Sequence, residues 1–552
     1  MKAIAVLEAD FDVTSFGTRS RLEDGLHGEP VLRRTVRQLA RSERLASIHV
    51  AVEPGQRERA ERLLAGTGAV VETHDAPAPP WAAPIATGGR CAAARKWSMD
   101  AWRGGLDGYT AFDEGTNIWL LEALGRRDGA DVVVSVPAAA PVASPALIDA
   151  MLAHYETVRQ TVRFLFVPAP PGLAGTLFET VMLAELCKAA WPPGRPLAYQ
   201  PDDPKRDLLV RDCCYRPDVA IEHAAGRLVA DCDRAMDRLD RLLEAHNGSA
   251  ETLTPERIGA WLANDARSCA GPLPREVEIE LTTDDPLPGT TLRPRGDRVP
   301  ARGPIDIDRA EALFDMLARR DDSLVVFGGF GDPLRHPDFA AIVRAAADAG
   351  VFGLAVRTTA LDLNDASIEA ILDANVDVVS VLLDAHSAET YRAVHNADRY
   401  ADAIERIEAL DRARTQRPQP TPHIVPEMIK TRRTMPEMEA FYDDWIRKTG
   451  SAVIAGPAGY GGMLEDLAVR DMRPPARFAC PRLWSRCLVL ADGRVTLCDQ
   501  DVRGDHAVEI PEAADLGSVW RGEPWSRLRD AHRREAYDTV SLCGSCREWH
   551  RP

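Results

Sequence analysis

Lysine is almost missing from this chain. It occurs only at positions 2, 96, 188, 205, 430 and 448, so arginine carries nearly all of the positive charge, against a formal net charge of -17. That acidic balance excludes a general nucleic-acid or anionic-membrane surface, while leaving room for a local basic pocket. The arginine bias is compositional, so a lone arginine says little about a site. Aromatic residues are scarce, at 6%. No apolar run is long enough to cross a membrane, and MKAIAVLEADFD lacks both the positive start and the small-residue cleavage site of a secretory signal. The expectation is a cytoplasmic protein with neither membrane nor general nucleic-acid partners.

At 552 residues the chain is too long for one core. Its cysteines at 91, 187, 213, 214, 232 and 269 show no ligand spacing and read as small buried hydrophobes or free thiols. Cys213 and Cys214 are adjacent, a poor geometry for a shared metal, even with His223 nearby. His336, His386 and His423 stand in no base and nucleophile arrangement.

The C-terminal stretch is different. FACPRLWSRCLVLADGRVTLCDQ carries Cys480 and Cys498, and SLCGSCREWH adds Cys543 and Cys546, two residues apart. Four such thiols, once deprotonated, suit one soft metal centre. Cys487 is a spare, either a buried thiol or a substitute ligand. LVLADGRVTLCDQ reads as two short strands around a type I′ turn at Asp492 and Gly493. Trp520 and Trp525 follow and are expected to pack a small core.

From the N-terminus, KAIAVLEAD, LASIHVAVEP, GAVVETH and DVVVSVPAA alternate with helical patterns. Buried apolar strands alternating with helices predict a layered α/β domain on a mainly parallel sheet over residues 1–245. DVAIEHAAGRLVADCDRAMDRLDRLLEAH reads as one long helix ending near Asn247 and Gly248. A helical linker spans 246–271, with Thr254 as cap and Pro255 in the first turn. Six strand and helix units over 272–470 predict a partial (β/α)6 barrel, whose strand ends gather the polar residues. Residues 471–552 are expected to form a small cysteine-ligated metal domain.

AIAVLEAD, the loop FGTRSRLEDGLHGEPVL and DVVVSVPAAAPVASPALIDAML resemble the nucleotidyltransferases that activate sugars, including the spore-coat polysaccharide and cytidylyltransferase type. In that resemblance Arg19 or Arg21 matches the arginine that meets the phosphates. Glu23 and Asp24 stand where its lysine is expected, and Ala139, two residues before Pro141, takes the metal position. Asp113 and Glu114 are alternative metal carboxylates. Acidic groups in such a loop do not suit a triphosphate.

GGFGDPLRHPDF, the strand end Arg357-Thr358-Thr359, VDVVSVLLDAHSAETYRAV and the terminal cysteines together resemble the radical S-adenosylmethionine (SAM) enzymes with a SPASM or shorter twitch domain. The resemblance implies a SAM or ligand pocket at Gly329, Gly331, Asp332 and Ser380, with Asp384 beyond. It also implies one auxiliary 4Fe-4S cluster on Cys480, Cys498, Cys543 and Cys546, with zinc as the alternative metal. The family's three cysteines spaced CxxxCxxC are missing: TTDDPLPGTTLRPRGDRVPARG stands in their place, and the pattern occurs nowhere in the chain. Asp284, Asp285 and Asp297 in that loop are hard ligands and poor replacements for thiolates. Gly459, Tyr460, Gly461 and Gly462 make a second ligand loop or a turn.

These readings converge on a noncanonical radical-SAM-like iron-sulfur protein. Its expected role is accessory or substrate-binding, toward a peptide, sugar or natural product or beside a modifying-enzyme partner. Two alternatives stand: an enzyme with redox, Lewis-acid or unusual SAM-dependent chemistry in the barrel, and a nucleotidyltransferase.

Overall fold

The computed structural model describes residues 1–75, 89–203, 213–248, 252–265, 269–418, 421–510 and 515–551. The chain forms two compact units, Met1–Asp265 and Ala266–Pro552.

In the first unit the strands are β1 (Ala3–Glu8), β2 (Gly25–Leu26), β3 (Glu29–Pro30), β4 (Leu45–Val52), β5 (Val70–Thr73), β6 (Val132–Ser135), β7 (Phe164–Phe166) and β8 (Thr176–Glu179). The main sheet runs β5-β4-β1-β6-β8-β7. The four strands from β5 to β6 are parallel, and β8 and β7 add an antiparallel edge. Side chains alternate across β1: Ala3, Ala5 and Leu7 enter one apolar cluster, and Ile4 and Val6 enter another on the opposite face. Both faces of the sheet are therefore covered, as a parallel sheet with crossover helices requires.

The long helix expected before Asn247 is interrupted. Helices cover Val219–Glu222 and Asp233–Glu244 only. Between them Gly226 has φ +151°, and Arg227 turns inward to pair with Asp231 and Glu114. A buried ion-pair network overrides the helical period there. The following helix, Pro255–Asp265, begins where its sequence signals place it, with the Arg257 amide donating to Thr254 Oγ1 at 3.4 Å.

The second unit holds β9 (Glu276–Glu280), β10 (Leu324–Gly328), β11 (Gly353–Thr358), β12 (Val378–Leu382), β13 (His423–Ile429), β14 (Val453–Ala455), β15 (Arg486–Val489) and β16 (Val495–Thr496). Strands β9 to β14 lie side by side in chain order, all parallel, the arrangement of a partial barrel. Val277, Ile279, Val325, Phe327, Val356, Val379 and Val381 join the helices in one core. β15 then pairs in parallel with β9, and β16 pairs antiparallel with β15, so barrel and cysteine segment share one sheet.

The β15–β16 hairpin forms, but not with a type I′ turn. Gly493 has φ +85°, whereas Asp492 is not among the left-handed residues, and the Gly493 amide donates to Leu490 O at 2.7 Å. A type I′ turn needs both central residues left-handed, and the four-residue turn here needs only the glycine. A Cβ at 493 would also sit 1.6 Å from Arg309 Nη1, which donates to Asp492 O.

Candidate metal centre and barrel mouth

Cys480 precedes the short helix Pro481–Trp484, Cys498 follows β16, and Cys543 and Cys546 flank the end of the helix Ser541–Gly544. Their surroundings are mutual: Cys480 acts electrostatically on Cys498 and Cys543, and Cys546 acts on Cys480 and Cys543. Burial raises the thiol of Cys480 to about 11 and that of Cys543 to about 12, and lifts that of Cys498 well above its ordinary value. Arg482 sits against this group, held by Asp499 at 2.7 Å, and Arg477 donates to Cys543 O at 2.7 Å. The Glu548 amide points at Cys546 Sγ, 3.3 Å away. These donors fit a thiophilic centre, because cations and an amide favour the thiolate form. Among the described residues, however, no group of three or more His, Cys, Asp or Glu side chains stands at metal-ligand geometry. The thiols are gathered without being closed on a point.

Cys487 is apart from them. It lies on β15 opposite Val277 of β9, 4% exposed within the apolar core, and its electrostatic neighbours are Glu276 and Arg529. Trp520 and Trp525 meet edge to face at 4.8 Å, with Arg529 stacked 4.2 Å over Trp520.

At the barrel mouth the predicted pocket residues are engaged by neighbouring groups of the protein. Asp332 is 1% exposed and accepts from Thr358 Oγ1 at 2.9 Å, from the Thr359 amide at 2.8 Å and from Thr359 Oγ1 at 2.6 Å. Burial, with Asp285 adding to it, lifts its carboxyl to about 6 against the pull of those hydrogen bonds. A Cβ on Gly331 would stand 2.3 Å from Thr282 O and 2.7 Å from Asp284 O, so the segment after β9 lies directly over the glycine turn. Gly329, at φ +84°, lies under Glu280 in the same way. Ser380 donates to Glu427.

Three residues that carried no role in the sequence reading dominate the cysteine-free loop after β9. Arg293 pairs with Asp384, Arg295 with Asp285 at 2.7 Å, and Arg302 with Glu280 at 2.6 Å, with every side chain at most 9% exposed. Their burial was hidden by the general excess of arginine. A second cluster would need soft donors in this loop, and the residues present do not fit one. His336 is also engaged, its Nε2 2.9 Å from Ile305 O.

With this geometry in view, two family models match. One is the radical SAM superfamily, over residues 294–417, and the other is the SPASM iron-sulfur cluster-binding domain, over residues 480–547. The second unit thus has a radical-SAM-like barrel region followed by a SPASM-like region. The radical SAM match starts inside the arginine loop, beyond its first half. The SPASM match runs from Cys480 past Cys546.

An uncharacterized protein of Treponema pallidum is 26% identical over 252 residues, 44% of this chain and 69% of its own. Solved structures are similar at low identity. BtrN in complex with AdoMet and 2-DOIA is 14% identical over 50% of this chain and 93% of its own, with a TM-score of 0.34. Streptococcus suis SuiB bound to precursor peptide SuiA is 11% identical over 63% and 78%, with a TM-score of 0.39. A cytidylyltransferase from Leptospira borgpetersenii is 12% identical over 48% and 96%, with a TM-score of 0.31.

In the first unit, a cavity of about 300 Å³ at the ends of β1 and β6 is lined by Glu8, Asp10, Glu53, Glu114 and Asp231, with Arg21 and His74. Both candidate phosphate arginines are held by acids: Arg19 by Asp24 at 2.6 Å and Arg21 by Asp233 at 2.6 Å. Asp113 accepts from the Gly194 and Thr110 amides, and Glu114 bridges Arg95 and Arg227. Among the described residues, no helix is long and apolar enough to cross a membrane.

Proposed function

We propose that this protein is a noncanonical radical-SAM/SPASM protein that carries one auxiliary 4Fe-4S cluster and does not cleave SAM. Cys480, Cys498, Cys543 and Cys546 would hold the cluster. Its role is accessory or substrate-binding in a pathway that modifies a peptide, sugar or natural product, in the cytoplasm. A bound cluster supplies one-electron transfer or, at an iron with an open position, a Lewis acid. The chain's own residues prepare the place: Arg482 and Arg477 bring positive charge to the thiols, Asp499 fixes Arg482, and the Glu548 amide faces Cys546.

The carrying observation is the contrast between two loops. Four thiols gather at the C-terminus, while the loop after β9 offers no thiol, and each of its three buried arginines is paired with a carboxylate. A radical generator needs thiolates at that second place. The acid-lined cavity of the first unit speaks for a binding or scaffold role there, and against a nucleotidyltransferase, whose triphosphate would meet carboxylates while the two candidate phosphate arginines are held by acids.

The test is anaerobic purification with iron, sulfide and zinc analysis and electronic spectroscopy. Iron and sulfide in about equal amounts, near four of each per chain, support the reading. Zinc without sulfide sinks it. Magnesium-dependent release of pyrophosphate from CTP would revive the nucleotidyltransferase.

A further inference from the structure

The two faces of the barrel strands differ in kind. Val277, Ile279, Val356, Val379 and Val381 enter the apolar core, and the residues between them, Glu278, Arg357 and Ser380, do not. With Glu427 on β13 they form one polar group on the lumen side, because alternate residues of a strand share a face. Gly328 on β10 makes the group contiguous. A Cβ there would stand 2.6 Å from Glu278 Oε1 and 3.5 Å from Arg357 Cβ, so only glycine lets β9 and β11 side chains meet across β10.

The group is incompletely satisfied. Arg357 reaches Glu278 Oε1 at 3.4 Å and Glu427 Oε1 only at 4.0 Å, and its buried Nε has no hydrogen-bond partner among the described residues. Glu278 Oε1 accepts from the Gly329 amide at 2.8 Å, and Glu427 Oε1 accepts from Ser380. The Oε2 atoms of both glutamates take no hydrogen bond among the described residues. The Arg357 side chain is 42% exposed, against 15% and 17% for the two glutamates, so the group is reachable. Two carboxylates thus face one guanidinium, which leaves one negative charge unmatched and guanidinium donors unused.

Above them Tyr460 is held at φ +48°, between its hydrogen bond to Gln500 at 2.9 Å and two left-handed glycines. A left-handed tyrosine is strained and persists only when its surroundings fix it. Its phenol is near enough to Arg293, Arg295 and Arg357 for their charges to act on it.

We infer that the barrel lumen binds an aliphatic amine flanked by oxygen acceptors, the chemistry of an amino alcohol or amino sugar. The ammonium sits between Glu278 and Glu427, supplying the missing positive charge, and the neighbouring oxygens accept from Arg357. A carboxylic acid without an amine would add to the negative excess, and an acylated amine would leave it unmatched. This names a ligand class for the substrate-binding reading and rests on that reading, but needs no cluster.

The experiment is isothermal titration of the full chain, purified anaerobically, with D-glucosamine and ethanolamine. N-acetylglucosamine and glucuronate are the comparators. Saturable binding of at least one amine is expected, with N-acetylglucosamine at least about tenfold weaker and glucuronate inert. Glu278→Gln and Glu427→Gln, isosteric and checked by melting curves, should each weaken the amine about tenfold. Arg357→Leu should do the same through the oxygen contacts. No saturable binding of either amine at millimolar concentration, equal binding of the acetylated sugar, or unchanged affinity in both glutamine variants would overturn the inference. Iron measured on the same samples separates the outcomes: amine binding without iron removes the cluster reading alone, and iron without amine binding removes this one alone.

Discussion

Arg302 grips Glu280 with two guanidinium nitrogens, Nε at 2.6 Å and Nη2 at 3.0 Å, where neither side chain is more than 3% exposed. The same carboxylate accepts from the Phe330 amide and the Ala491 amide, each at 3.1 Å. One side chain at the end of β9 therefore joins the arginine loop, the glycine turn and the cysteine hairpin.

Glu280→Gln should destabilise the chain by about 3–5 kcal/mol, because it strands a buried guanidinium. The double change Glu280→Leu with Arg302→Met should recover much of that loss, since both charges leave together. Urea unfolding of the three proteins checks the pattern.

Gly331→Ala should be poorly tolerated, since its Cβ would press on the Thr282 and Asp284 carbonyls, at a cost of about 1–3 kcal/mol. Gly303→Ala, with nothing within 4 Å of the new methyl and no positive φ, should be close to neutral. Thermal melts of the two variants make the comparison.

Much of this architecture was legible in the sequence because strand period and turn chemistry are local. The six barrel strands and the parallel strands of the first unit follow from apolar runs between helical patterns. What was not legible depends on partners far away in the chain. Nothing in the loop 282–303 says that Arg293 meets Asp384 or that Arg302 meets Glu280, in a chain where arginine is everywhere. The helix expected across residues 218–246 fails for the same reason, since Arg227 finds Glu114 from a distant segment. Cys487 was open between a buried thiol and a substitute ligand, and what buries it on β15, apart from the terminal thiols, is its pairing with the distant strand β9.

Cys487→Ser should leave metal content unchanged and cost about 1–3 kcal/mol, by placing a hydroxyl in an apolar core. Serine at Cys480, Cys498, Cys543 or Cys546 should lower metal content instead. Elemental analysis beside denaturant melts separates the two classes.

Asp332 gives a pH test. Its folded carboxyl titrates at about 6, above its unfolded value of about 3.9, so the folded state binds the extra proton between those values. Its contribution is full below about pH 4 and falls as pH rises through about 6, by up to about 3 kcal/mol. The stability difference between the native chain and Asp332→Asn should change with pH over that window and stay flat above about pH 7. Unfolding free energies from pH 4 to 8 supply the measurement.

The most direct measurement is the iron and sulfide content of two anaerobically reconstituted proteins, the native chain and one with Cys480, Cys498, Cys543 and Cys546 all changed to serine. The native chain should hold about four irons with matching sulfide, and the quadruple variant none. About eight irons in the native chain, or a cluster surviving in the variant, would place iron where the arginine loop stands and contradict the account.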